Sequence, residues 1–151
     1  MKSMNKIFII FLFAVISSEV LHANYAFYRK VTNTCKSYRI EVKADDMDLN
    51  LENNDFSINL ISRRNNFEMI MLIGFASAGP AIIHQRHLQE TINNYEAIVP
   101  DKVNVVVTVP VGRNNTIFSA EASSAMVQKL ADGTVDTADF MRKIKDSIQT
   151  F

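Results

Sequence analysis

The chain has 151 residues, of which 48% are hydrophobic, and its 16 basic side chains balance its 16 acidic ones. Zero net charge argues against nucleic acid or an anionic membrane as the main partner, because both select for excess Lys and Arg. Trp is absent, which removes the strongest stacking residue at interfaces. A single cysteine excludes a disulfide framework within one chain.

The first element in chain order is an address. Lys2 and Lys6 give a basic start, Ile7 to Ile16 is an uncharged apolar block, and Ser17, Ser18 and Glu19 lead to Leu21-His22-Ala23. Basic region, short apolar core and small residue at the cut are the order of a secretory signal peptide. The apolar block is shorter than the roughly 20 residues that span a bilayer. The sequence therefore predicts a signal peptide over 1–23, cleavage after Ala23, and one small domain over 24–151. It also predicts a periplasmic or secreted location, with a bacterial envelope favoured because small eukaryotic secreted domains are usually disulfide-rich.

Residues 24–36 show no clear period and read as an irregular arm. Tyr38, Ile40 and Val42 alternate with charged residues, as in a half-buried strand. Met47, Leu49 and Leu51 repeat the alternation, as do Phe56, Ile58 and Leu60. With Asn53-Asn54 as a tight turn, these runs predict a three-strand antiparallel meander. Residues 67–83 are apolar on nearly all sides and poor in β-branched residues, which favours helix over strand. Beyond Pro80 the helix turns amphipathic through His84, Leu88, Ile92 and Tyr95, either as one bent helix or as two.

Val103 to Val109 is the strongest strand, and Gly112 to Asn115 turns it into a partner over 116–122. Ser123 or Ser124 can cap a short helix carrying Val127 and Leu130, with Asp132-Gly133 closing it. Thr134 or Asp136 can cap a last helix whose stripe is Phe140, Ile144 and Ile148. The predicted class is α+β: a mainly antiparallel sheet of roughly five strands, a long apolar helix, and two C-terminal helices packed on the sheet.

Each candidate for chemistry has a plainer rival. His84, His87 and Glu90 lie at helical spacing, which can gather metal ligands on one face. The pattern is not His-Glu-x-x-His, however, and His84 falls on the apolar stripe, as a packed histidine would. The acids from Asp45 to Asp55 suggest a calcium loop, but counting from Asp46 puts Leu51 and Ser57 where Gly and Glu are required. Ser77 has Phe75 where a nucleophile elbow needs glycine. Gly74 and Ala78 form a small-xxx-small pair suited to close helix packing. Cys35 reads either as a small buried hydrophobe or as an intermolecular disulfide. Asn114-Asn115-Thr116 matches a glycosylation sequon, relevant only on a eukaryotic secretory route.

No catalytic residue, metal or cofactor is assigned. The favoured reading is an exported, non-catalytic module that binds another protein or a second copy of itself. Two alternatives remain: a small envelope hydrolase or metal protein using His84, His87 and Glu90, and membrane association through the apolar helix 67–83.

Overall fold

A computed structural model of the chain describes residues 23–63 and 66–151. The signal-peptide reading of 1–23 falls, apart from Ala23, outside the described residues. The class is α+β: five strands in one mixed sheet, and four helices among the described residues.

Residues 23–37 are helical (α1), so the expected irregular arm is a helix. Ala23, Phe27, Val31 and Cys35 recur every fourth residue and are all fully buried on one face. Phe27 meets the ring of Phe56 edge-on, with centroids 4.9 Å apart. Burying each of Phe27 and Val31 contributes on the order of 1.5–3 kcal/mol. The amide N–H of Ile40 donates to the Cys35 carbonyl at 3.0 Å, and Arg39 takes a left-handed φ of 62°, which closes α1.

That closure overturns the strand expected at Tyr38, Ile40 and Val42. Their alternation arises because the segment lies along the core and buries Val42, not because it pairs. A 3-10 turn, Ala44–Asp46, follows. Strand β1 is Met47–Asn50 and β2 is Asp55–Ile61; they pair antiparallel, with Met47 opposite Ile58 and Asn54 at a φ of 53° in the turn.

Helix α2, Phe67–Thr91, is one helix that runs through Pro80. It carries the chain back across the sheet, so β3, Lys102–Val111, lies parallel to β2. The expected mainly antiparallel sheet is therefore mixed: a helical crossover is the connection that parallel neighbours require. Strand β4, Asn114–Ser123, pairs with β3 as the expected hairpin, turning at Gly112 with a φ of 62°. Helix α3, Ser124–Ala131, is capped by Ser123, whose hydroxyl accepts from the Met126 amide at 3.3 Å. Helix α4, Thr137–Ile144, is capped by Asp136, which accepts from the Asp139 amide at 2.8 Å. A second 3-10 turn, Lys145–Ser147, leads to β5, Gln149–Thr150, on the far side of β4. The fifth strand thus comes from the C-terminal segment and not from residues 38–43.

The sheet runs β1-β2-β3-β4-β5, with its apolar face turned toward the helices. Phe56, Ile58 and Leu60 share that face with Val103, Val105, Val107, Ala120 and Ala122, all buried. Phe67 of α2 stacks on Phe118 at 3.9 Å, and Phe75 of α2 meets Phe140 of α4 at 5.2 Å. The alternate residues, among them Asp48, Asn59 and Glu121, face solvent. Period-two burial of this kind is what a sheet covered on one face requires.

Candidate functional site

An open groove of about 1090 Å³ lies where β2 outruns β1. Three separate segments line it: residues 38–43 with Asp46, the end of β2 with Arg63, and the first turns of α2. Leu60, Ile70 and Ile73 form its apolar floor, and Ile40 adds to one wall. Three of the large apolar side chains left exposed by the fold stand on its rim: Tyr38 at 53%, Ile61 at 65% and Met69 at 60%. Arg39, Lys43 and Arg63 give the rim three cations against Glu41 and Asp46. Asp46 is turned inward on its own backbone, accepting from the Lys43 amide at 2.8 Å.

The backbone of β2 sets the groove's chemistry. The Ser62 amide donates across to Thr108 of β3 at 2.9 Å, so Leu60 and Ile58, of the same parity, also point their backbone groups at β3. Asn59 and Ile61 point the other way. Pairing with β1 stops at Ile58, so the N–H and C=O groups of Asn59 and Ile61 face the groove. Exposed strand edges of this sort template the addition of another strand.

Parts of the sheet's outer edges are occupied by other groups. On β1, the Leu49 amide donates to the Tyr28 hydroxyl at 2.9 Å, and the Met47 amide donates to Ala44. The Tyr28 phenol is pushed above its ordinary pKa, mainly by burial. On β4, Ile117 exchanges both backbone bonds with Phe151, while the Ser147 hydroxyl accepts from the Glu121 amide and donates to its carbonyl.

The sequence-derived candidates are scattered. His84 is half-buried and His87 and Glu90 are exposed on α2. Burial first, then the charges of Lys30 and His87, holds His84 below the usual histidine pKa. Among the described residues, no three His, Cys, Asp or Glu side chains gather as a metal-holding group. Cys35 is fully buried, and burial raises its thiol pKa against a smaller opposing effect of the Ser77 hydroxyl. Ser77 itself donates to the Gly74 carbonyl at 2.7 Å inside α2. The acids Asp45 to Asp55 are spread over the 3-10 turn, β1 and the hairpin.

Gly74 and Ala78 are both buried in α2. A Cβ at Gly74 would lie 2.6 Å from a methyl of Val105, so that close approach is to the sheet. The close helix–helix approach is at Gly79, where a Cβ would lie 2.5 Å from that of Ala131 in α3. Helix α2 has the length and composition to cross a membrane, and 44% of its most apolar window is buried within the fold.

Sequence reasoning passed over Gln85, which is fully buried. Its amide nitrogen donates to the Ala23 carbonyl at 3.0 Å, and its oxygen accepts from the Tyr95 hydroxyl and the Ile98 amide, each at 3.1 Å. One side chain therefore ties α1, α2 and the 95–98 segment together. It also passed over the groove, whose residues share no local motif. Compared with protein-family models, curated proteins and solved structures, the chain matches none.

Proposed function

We propose that this is an exported, non-catalytic binding module whose groove takes an extended segment of a partner protein as an added strand beside Asn59 and Ile61. One observation carries the reading: β2 continues past its partner, and its free backbone edge is flanked by the exposed apolar side chains of Tyr38, Ile61 and Met69. Strand addition derives affinity from main-chain hydrogen bonds and specificity from pockets for alternate side chains. The apolar floor suits one such side chain, and the excess of rim cations suits a carboxylate beside it. Export is supported by the order of residues 1–23.

The test uses Ile61→Pro. Proline removes one of the two amides that face the groove while leaving the β3 side of the strand intact, the edge position where a strand tolerates it. A photo-crosslinker placed at Met69 or Tyr38 in cells, followed by mass spectrometry, should map one extended segment of one partner to both positions. Ile61→Pro should abolish the crosslinks while the purified protein stays folded. Crosslinks only to a second copy would make self-association the function. Crosslinks unchanged by Ile61→Pro would refute strand addition.

A further inference from the structure

Two groups at the first described residues of α1 do not fit the same state of the chain. The Ala23 carbonyl is used twice, by the Gln85 amide nitrogen and, in the i→i−4 pattern, by the Phe27 N–H. One residue later, Asn24 Oδ1 is buried with no hydrogen-bond partner among the described residues. A buried acceptor left idle costs about 1–3 kcal/mol and calls for an explanation. Asparagine is also a poor choice inside a helix and one of the best at its N-cap.

Resting on the export reading above, we infer that Asn24 is the N-cap of α1 in the processed chain, and that cleavage switches it into that role. Hydrolysis of the Ala23–Asn24 bond by a signal peptidase adds one water. Ala23 leaves as a carboxylate on the leader, and Asn24 gains an α-ammonium. Two buried donors, the Phe27 N–H and the Gln85 Nε2–H, lose their acceptor in that step. Asn24 becomes the first residue of the helix, and Phe27 stands at the third helical position after it, whose amide an N-cap side chain accepts. The idle Oδ1 thus takes over the Phe27 amide. A carboxamide oxygen has two lone pairs, so the same atom can also receive Gln85. The arrangement offsets the unfavourable ammonium at the positive end of the helix dipole.

The exported product is purified as wild type, Asn24→Ala, Asn24→Ser and Asn24→Asp, with each start confirmed by intact mass. Asn24→Ala should lower Tm by about 2–8 °C, whereas Ser and Asp, which cap as well as Asn, should stay near wild type. The Gln85 side-chain amide protons should exchange slowly in the wild-type product and faster in Asn24→Ala. Alanine equal to or more stable than wild type is helix-interior behaviour and overturns the cap. A product that retains Ala23 overturns the cap while leaving export intact, and full-length chain confined to the cytosol overturns both.

Discussion

The contact between α2 and α3 allows a sharp test at Gly79. An alanine there would place its Cβ 2.5 Å from the Ala131 Cβ and 2.9 Å from the Val127 carbonyl oxygen. Carbon atoms pack at roughly 3.5–4.0 Å, so the two helices would have to part by about 1 Å. Overpacking of this kind costs about 1–3 kcal/mol, against which alanine's better helix propensity returns up to about 1 kcal/mol. The obstacles are a backbone carbonyl and a methyl on the main chain, and neither can rotate aside. The net loss should therefore be about 1–2 kcal/mol, or a few degrees in Tm for a chain of this size. Gly74→Ala is the control. It meets Val105 methyls at 2.6 and 3.0 Å and Leu60 Cδ1 at 3.1 Å, which are side-chain atoms, so it should cost less than Gly79→Ala. Gly74→Leu adds three more carbons to the same space and should lose about 1–3 kcal/mol. Urea unfolding followed by circular dichroism measures all three. A Gly79→Ala protein as stable as the parent, or more so, would mean that α3 does not lie on α2 at this point.

Two further outcomes follow from buried groups. Cys35 should resist thiol reagents in the folded protein and react only as the chain unfolds, because it is fully buried with its thiol pKa raised; Cys35→Ser should stay within about 1 kcal/mol of the parent, with the Ser77 hydroxyl beside it, and a covalent dimer of the native protein on a non-reducing gel would contradict this. His84 is held below its ordinary value of 6.5, so the unfolded chain takes up the proton first as pH falls. Its contribution to stability is then fully present above about pH 6.5 and is lost as pH falls through that value toward the lower folded pKa. Replacing His84 by Gln should flatten this slope in thermal unfolding across mildly acidic pH, and an unchanged slope would refute the assignment.

Local signals were readable where one segment settles its own structure. The β3–β4 hairpin has a β-branched run and a glycine turn, and both C-terminal caps, Ser123 and Asp136, stand where side-chain oxygens meet free amides. Helix α1 was hidden because its apolar face is narrow. Phe27, Val31 and Cys35 recur every four residues, but Thr32, Asn33 and Thr34 between them dilute the pattern. Tyr38, Ile40 and Val42 mimicked a strand, since period two records only which side chains turn inward. Whether such a run pairs depends on a neighbour from elsewhere in the chain, and here β2 has β1 on that side only as far as Ile58. The parallel pairing of β2 with β3 follows from strand, long helix and strand in succession, yet a meander reading of residues 38–60 masks it. The groove is the least legible feature, because Tyr38, Ile61 and Met69 meet only after the chain has folded.

How the sheet treats its edges bears on stoichiometry. Tyr28 and the 3-10 turn occupy the outward amides of β1, and Ser147 and Phe151 occupy β4 from Ile117 to Glu121. At the opposite end of the sheet, a strand accepted beside Asn59 and Ile61 finds only the outer edge of β5, which is two residues long, Gln149–Thr150. Head-to-tail growth needs two such ends on every molecule. Association through this edge should stop after one event, giving a one-to-one complex or a closed pair in place of a fibre. High concentration would then saturate partners without seeding polymers.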